Sequence, residues 1–199
     1  MGRNTKKILM QYLLPALIMV MMIGSVVSLS YGDEDRKVRY GFSIFGGTGN
    51  VFSDEPRIMV YGFLPRVSLP LYKNWDLEFE GNSSYYDIRK MHDFYFLGVN
   101  SNILFKPIQK RWGSLFLLAG GGLGYDSAGK NLKHFHSHYY SYYIGDQHFG
   151  GILQGGAGML FNIGRGTALR VEYRLYHISE PFKTDRGLNT HTVLFGVSF

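Results

Sequence analysis

The segment Leu169-Arg-Val-Glu-Tyr-Arg-Leu175 is the clearest indication of the fold, because its side chains alternate strictly between apolar and charged. A period of two sends successive side chains to opposite faces of an extended chain, so the stretch predicts a β-strand with one apolar and one charged face. The charged face carries Arg170, Glu172 and Arg174, which are of both signs. Such a face can be enclosed if its charges neutralise one another.

The same alternation recurs along the rest of the chain. In Trp75-Asp-Leu-Glu-Phe-Glu80 the odd positions are apolar and the even positions acidic, and the chain ends on the alternating segment Val193 to Phe199. The pattern predicts eight strands, at about residues 37–46, 57–69, 75–86, 92–105, 112–125, 150–162, 167–179 and 189–199. Turn-like links are expected at 70–74, 106–111 and 162–166. They alternate with the connections 47–56, 87–91, 126–149 and 180–188, most of which are longer.

Two architectures are compatible with eight alternating strands. A soluble sandwich buries the apolar face, whereas a membrane barrel places apolar and aromatic side chains outside and polar and small ones inside. The even strand number, the alternating links, the aromatic residues near strand ends and the terminal Phe199 favour the barrel. The predicted fold is therefore all-β, an eight-stranded antiparallel transmembrane β-barrel with an interior filled by side chains. Glycines are expected to permit close packing inside it, at positions 120, 121, 122, 155, 156, 158 and 196.

The first thirty residues form a separate segment. Three basic residues precede the long apolar stretch 8–27, and small residues follow near Ser28 to Gly32. This order is typical of a secretory signal peptide, and the alternative is an uncleaved N-terminal membrane anchor. The expected domains are a signal peptide at 1–30 and an outer-membrane β-barrel domain at 31–199. An exported chain enters the membrane from the periplasm, so the short links are expected there and the long loops outside the cell.

Composition excludes several classes of protein. With no Cys, the chain has no disulfide scaffold, no thiolate metal site and no cysteine nucleophile. Removal of residues 1–30 lowers the net charge from +6 to +3, because 18 basic residues then face 15 acidic ones. The basic balance is therefore weak support for nucleic-acid binding, and an exported protein rarely meets nucleic acid.

One part of the predicted seventh strand breaks the alternation. His177 and Ser179 occupy odd positions, in line with Leu175, where a lipid-facing apolar side chain is expected. Two residues apart on a strand, they share a face with Cβ atoms about 6–7 Å apart, which suits a histidine base that activates a serine hydroxyl. The alternative interpretation is that the strand leaves the membrane at this point and becomes polar.

Three segments of the C-terminal region resemble a known family. They are Arg174-Leu-Tyr-His-Ile-Ser179, Gly187-Leu-Asn-Thr-His191 and the ending Leu194-Phe-Gly-Val-Ser-Phe199. Together they resemble the C-terminal part of the lipid A 3-O-deacylases of the PagL type, within residues 150–199. The resemblance implies an outer-membrane esterase that removes the 3-O-linked hydroxyacyl chain of lipid A in the lipopolysaccharide of the outer leaflet. It implies His177 as the base and Ser179 as the nucleophile, with no cofactor and no metal.

The sequence departs from the pattern of that family at two places. The family motif usually continues as His-x-Ser-Asn, whereas here Ser179 is followed by Glu180 and Pro181. Pro181 has no N–H to donate to a developing oxyanion, and an oxyanion donor typically lowers a barrier by ~3 kcal/mol. Some members carry a glutamate where this chain has Asn189. As the third catalytic residue, Asn189 would orient His177 and select its tautomer, as asparagine does in Cys-His-Asn sites.

Other interpretations remain open. The connection 126–149 contains His134, His136 and His138 at alternate positions, which suit a metal site in a strand, although an aromatic flap on the lipid headgroups is favoured. A non-catalytic small barrel that anchors the envelope or presents its loops to other surfaces would share the signal, the strands and the final phenylalanine. Substitution of His177 or Ser179 separates that alternative from the esterase. The sequence also leaves open whether the barrel is a monomer or a homodimer.

Overall fold

Eight strands form one closed barrel. The computed structural model describes residues 37–49, 58–88, 93–127, 149–164, 166–179 and 188–199. The strands are β1 (Arg39–Gly49), β2 (Ile58–Tyr72), β3 (Trp75–Ile88), β4 (Phe94–Lys110), β5 (Gly113–Asp126), β6 (Phe149–Gly164), β7 (Thr167–Ser179) and β8 (Leu188–Ser198). Each strand pairs antiparallel with the next, and β8 pairs with β1, so the predicted eight-stranded antiparallel transmembrane β-barrel is confirmed. The predicted signal peptide at 1–30 and the histidines at 134, 136 and 138 lie outside the described residues.

All eight predicted strands are present, but several are longer than the sequence indicated. β2 continues to Tyr72 and β4 to Lys110, so only two residues separate each of them from the next strand. The sequence suggested links at Pro70 and around Pro107, yet both prolines lie within strands, beside shifts in the pairing register. A proline cannot donate to the ladder and is tolerated where the ladder is irregular.

The two ends of the barrel differ in their connections. At the turn end, two residues join β2 to β3, β4 to β5 and β6 to β7. In the last of these turns Gly166 has a φ of 82°, a conformation that a residue with a Cβ rarely adopts. At the loop end, the other connections join the strands through residues 50–57, 89–93, 127–148 and 180–187.

β1 and β8 form the closing seam of the barrel. The backbone N–H groups of Tyr40 and Phe199 each donate to the other residue's carbonyl oxygen at 2.8 Å. Further along the seam Gly196 lies opposite Ser43, and a Cβ at position 196 would come within 2.1 Å of Ser43 Oγ. The close approach of the two strands therefore requires a glycine there, and the final residue of the chain takes part in closing the sheet.

The outer wall is apolar. Large apolar side chains are exposed around the barrel, among them Phe42, Ile44, Phe63, Val99, Ile103, Leu117, Leu123, Leu153, Leu175 and Phe195. Exposed aromatic side chains also lie near both ends, at Tyr72, Trp75, Trp112 and Phe199 for the turn end and at Tyr61 and Tyr125 for the loop end. An apolar band between two aromatic girdles is the surface that a transmembrane barrel presents to lipid. No helix long and apolar enough to cross a bilayer occurs among the described residues.

Paired charges fill the middle of the barrel. Arg170 donates to both carboxylate oxygens of Glu78 at 2.7 and 3.1 Å, and Arg174 donates to both of Glu80 at 2.5 and 3.0 Å. The carboxylate of Glu172 lies between the two arginines and accepts from the Nε of each. These five side chains are almost completely buried, a placement that is tolerated only because each charge has hydrogen-bonded partners of opposite sign.

A third arginine completes the balance of charge. Arg66 donates to Ser43 Oγ at 2.7 Å and lies 3.7 Å from Glu80 and 3.8 Å from Glu172. Three positive and three negative side chains thus occupy the same layer, as the alternation of the seventh strand suggested. Closer to the turn end, Lys106 and Asp76 form a separate ion pair at 2.5 Å.

Apolar side chains cover the charged layer on both sides. Toward the loop end the interior holds a cluster that includes Phe45, Tyr86, Phe96, Tyr176 and Ile178. Toward the turn end a smaller cluster consists of Leu104, Phe116, Leu118, Leu160 and Ala168. The described interior of the barrel is therefore a packed core, as expected for eight strands.

Candidate active site

The predicted break in the alternation of β7 lies on the outer wall near the loop end. Three cross-strand pairs of β7 and β8 make up this part of the wall: His177 with Asn189, Leu175 with His191, and Tyr173 with Val193. All three point outward, because the intervening residues of each strand, such as Tyr176, point into the barrel and are buried. Several polar side chains therefore lie on a surface whose other members are suited to lipid.

His177 and Asn189 are hydrogen-bonded to each other. Their Nδ1 and Oδ1 atoms lie 2.8 Å apart. Since an amide oxygen can only accept, the ring donates its Nδ1–H, and this bond fixes the tautomer in which Nε2 carries no proton. His177 is half-buried and Asn189 is exposed, so the unprotonated nitrogen of the ring remains available to a ligand on the wall.

Ser179 is the last residue of β7 and pairs with Gly151 of β6. It follows His177 by two residues, so it belongs to the same outward set of strand positions. The backbone of Ser179 is described, whereas its side chain lies outside the described part of the chain. The sequence expectation that Ser179 is a nucleophile therefore remains a prediction.

The interior of the barrel beneath His177 is filled by apolar side chains. The inward neighbours of His177, Tyr176 and Ile178, belong to the larger apolar cluster and are 3% and 5% exposed. On β6, Leu153 lies opposite His177, and the next outward residue of that strand is Gly155. A Cβ on Gly155 would contact only the carbonyl oxygen of Leu118, at 3.8 Å, so no side chain projects from the outer surface at this position. A ligand of His177 would therefore approach along the outer wall and not through the barrel.

A second polar pair lies beside the first and was not found by the sequence reasoning. Tyr173 Oη and His191 Nδ1 are 2.6 Å apart, and both side chains are exposed on the outer wall. His191 occupies an odd position of the last strand, where the alternation predicts an apolar side chain. The same break in the pattern that marked His177 could therefore have marked His191. The tyrosine by itself fits an aromatic girdle, and only the pairing across two strands shows that its hydroxyl is engaged.

The polar groups described on this wall are two imidazoles, one amide and one phenol, which can donate, accept and transfer protons. His177 has the geometry of a general base, because Asn189 holds one ring nitrogen and no described side chain hydrogen-bonds to the other. Among the described residues no three histidine, aspartate or glutamate side chains come together as a metal site would require. The arrangement fits proton transfer to and from a hydroxyl nucleophile in the same outward set of positions.

The fold and the wall define a class: the protein is a small β-barrel of the outer-membrane type, with a polar site on its lipid-facing surface. No protein-family model and no curated protein sequence matches the chain.

Solved structures with the same architecture were found. The crystal structure of the outer membrane enzyme PagL matches with a TM-score of 0.55 at 15% identity, over 78% of this chain and 97% of that chain. Neisserial surface protein A matches with a TM-score of 0.49 at 15% identity, over 81% and 94% of the two chains. Ail, the attachment invasion locus protein of Yersinia pestis, matches with a TM-score of 0.42 at 16% identity, over 81% and 96%. Identities this low establish the likeness of fold alone.

Proposed function

We propose that this protein is an outer-membrane esterase that removes the 3-O-linked hydroxyacyl chain from lipid A. The observation that carries the proposal is the 2.8 Å hydrogen bond between His177 and Asn189 on the lipid-facing wall, two residues from Ser179. A structural role explains a hydrogen-bonded histidine poorly at this place, because an apolar side chain would contact lipid at lower cost. The resemblance of the three C-terminal segments to the lipid A 3-O-deacylases supports the same conclusion.

The proposed location follows from the order of the chain. A signal peptide at 1–30 would direct export, and residues 31–199 would insert in the outer membrane with the turn end in the periplasm. The loop end, and with it His177, would then lie at the level of the outer leaflet, where lipopolysaccharide resides. Because the site is on the outer wall, the substrate would approach sideways within the leaflet and would need no passage through the barrel.

The proposed reaction is an acyl transfer in two stages. Ser179 Oγ attacks the ester carbonyl carbon while His177 Nε2 accepts the hydroxyl proton. The C–O bond to the sugar then breaks, the imidazolium returns the proton to the sugar oxygen, and the acyl group remains on the serine as an ester. Water attacks that ester with His177 again as base, which releases the hydroxy acid and restores the serine.

Asn189 acts in this scheme through His177. By accepting the Nδ1–H, it keeps Nε2 directed away from β8 and free of a proton. Asparagine carries no charge, so it stabilises the imidazolium of the transition state less than a carboxylate does. All the proposed groups belong to one chain, so activity is expected of the monomer, and a homodimer would place a second site on a second barrel.

The test is mass spectrometry of lipid A from cells that express the parent protein, Ser179→Ala or His177→Ala. Loss of one hydroxyacyl mass with the parent alone is expected, while both variants remain folded in the outer membrane. Ser101→Ala, which changes an exposed outward serine on β4, serves as the matched control and should retain the activity. Identical lipid A in all cells, with every protein folded, would contradict the esterase and favour a non-catalytic barrel that anchors the envelope or presents its loops.

A further inference from the structure

Two neighbouring turns at the turn end of the barrel carry exposed basic side chains. Lys73 lies in the connection of β2 to β3, Lys110 is the last residue of β4, and Arg111 follows it in the connection to β5. These three residues form the basic rim. The acidic residue nearest to Lys73 in the chain, Asp76, is buried and paired with Lys106. At the loop end, in contrast, the exposed charged side chains that the structure describes are both acidic: Asp87 and Asp93. The turn end is therefore the end suited to an anionic partner.

Hydrogen bonds fix the two turns to each other. Gln109 Nε2 donates to Asn74 Oδ1 at 2.9 Å and to the carbonyl oxygen of Lys73 at 3.5 Å. The carbonyl oxygen of Asn74 accepts from the backbone N–H of Lys106 at 2.7 Å. Because Lys110 follows Gln109 directly in the chain, these bonds bring Lys73 and Lys110 to neighbouring places. The charges of the basic rim are therefore carried by a defined backbone, which lowers the entropy lost when a ligand is bound.

The basic rim is adjacent to the aromatic girdle of the turn end. Lys73 follows Tyr72 in the chain, and Arg111 directly precedes Trp112. Both aromatic side chains are more than half exposed, and the Nζ of Lys73 lies 5.4 Å from the centroid of the Tyr72 ring. Exposed tyrosine and tryptophan side chains of membrane proteins lie at the level of the lipid headgroups. The ammonium and guanidinium groups beside them are therefore at the depth of the phosphate groups of the lipid.

Lys73 has a backbone conformation that does not favour lysine. Its φ is 32°, and among the described residues it alone has a positive φ without being a glycine. Glycine or asparagine adopts the left-handed region at lower cost, and the chain has an asparagine at the next position, Asn74. The side chain of Lys73 is exposed and adds nothing to the packed interior. A strained residue of this kind supports a functional role for its side chain.

We propose that Lys73, Lys110 and Arg111 bind the phosphate group of an anionic phospholipid in the leaflet that surrounds the turn end. A guanidinium group can donate to two phosphate oxygens at once, and an ammonium group attracts the phosphate as a point charge. A zwitterionic lipid carries a cation of its own beside the phosphate, so the basic rim should prefer a lipid with a net negative charge. The inference does not depend on the proposed hydrolysis, because His177 lies near the opposite end of the barrel.

Native mass spectrometry of the protein purified from membranes tests this binding. It compares the retention of dioleoylphosphatidylglycerol, which is anionic, with that of dioleoylphosphatidylcholine, which has the same chains and no net charge. Each basic residue near an anionic lipid surface strengthens the attraction roughly fivefold, so Lys110→Gln with Arg111→Gln should reduce the preference for the anionic lipid by roughly twentyfold. Lys130→Gln with Lys133→Gln removes the same charge from the connection of β5 to β6 at the loop end and should retain the preference.

Lys73→Asn separates lipid binding from folding. It removes one charge and suits the positive φ, so the preference should fall roughly fivefold while the urea concentration that unfolds the protein in lipid vesicles stays the same or rises. Equal retention of the two lipids by the parent would overturn the inference. An unchanged preference in Lys110→Gln with Arg111→Gln, or an equal fall in the loop-end control, would also overturn it. If the variant with two substitutions fails to fold, Lys73→Asn decides the result.

Discussion

His177 and Asn189 face each other across β7 and β8, with 2.8 Å between Nδ1 and Oδ1, although they are separated by twelve positions in the chain. The antiparallel ladder sets this contact, because the two residues are direct partners in the register of the strands. The connection 180–187 can therefore vary in length or composition without separating the pair. The proposed base and the residue proposed to orient it are thus held by paired strands, which preserves their geometry in a fluid bilayer.

The first prediction concerns Asn189. Asn189→Ala removes the acceptor for the Nδ1–H of His177 and should lower the turnover of the proposed deacylation by roughly fivefold to tenfold, the value of one hydrogen bond. Asn189→Asp restores an acceptor and adds a charge that stabilises the imidazolium, so it should match or exceed the parent. Release of hydroxy acid from purified lipopolysaccharide measures both effects. Similar losses in both variants would assign a merely structural role to Asn189.

The second prediction concerns the residue after Ser179. Glu180→Asn restores the residue usual in the resembling family and removes the negative charge of the residue that follows the proposed nucleophile in the chain. An oxyanion donor is worth ~3 kcal/mol, so the rate should rise by tenfold or more. Asp185→Asn makes the same change of charge in the same connection and serves as the control. An equal rise in both variants would indicate a general electrostatic effect on an anionic lipid surface.

The third prediction concerns the charged layer. Arg174 donates to Glu80 and Glu172 inside the barrel, so Arg174→Ala leaves two buried carboxylates short of a partner. Loss of one member of such a cluster costs about 3–5 kcal/mol of the free energy of unfolding. Urea unfolding in lipid vesicles measures the loss. Leu175→Ala, the outward neighbour, should cost much less, and equal losses would show that the charged layer adds no special stability.

The fourth prediction contrasts two glycines. A Cβ at Gly120 would lie 2.0 Å from Asn102 Oδ1 and 2.3 Å from the carbonyl oxygen of Ser101, so Gly120→Ala must displace the neighbouring strand. Gly155→Ala places its methyl group on the outer wall, in ordinary contact with the carbonyl oxygen of Leu118 at 3.8 Å. Vesicle unfolding should therefore show clear destabilisation for the first variant and little change for the second. The reverse order would mean that the strands are spaced differently at Gly120.

Much of the fold could be predicted because alternation is a strong local signal. The number of strands, their approximate positions and the enclosure of Arg170, Glu172 and Arg174 all follow from a period of two. The strand ends were less accurate, because Pro70 and Pro107 were interpreted as links, whereas irregular pairing accommodates both within strands. Such irregularities depend on the partner strand and leave no trace in a single segment.

The glycine expectation was correct for some positions and wrong for others. Gly120, Gly122, Gly156, Gly158 and Gly196 make close approaches that a Cβ would obstruct. Gly155 lies in the outward set with the exposed Leu153, and a Cβ there would make only an ordinary contact of 3.8 Å with the carbonyl oxygen of Leu118. Gly121 is also an outward position, yet a Cβ there would come within 2.9 Å of the carbonyl oxygen of Ile152, so the period of two alone does not separate these cases.

The candidate site was predictable only where a local break in the pattern marked it. His177 and Ser179 stand out because polar residues replace apolar ones at two successive outward positions of one strand. His191 is also a polar residue at an outward position of β8, but Tyr173 is acceptable on its own strand, and the hydrogen bond that joins the two spans eighteen positions of the chain. Contacts across strands require the register, which the alternation does not supply.

The balanced charges inside the barrel have a consequence for the envelope as a whole. Three arginines and three glutamates, almost completely buried, fill the cross-section at mid-height with no net charge and are sealed by apolar layers above and below. An eight-stranded barrel filled in this way has no room for an aqueous channel. We therefore expect the membrane to carry many copies of the protein without becoming leaky to salts.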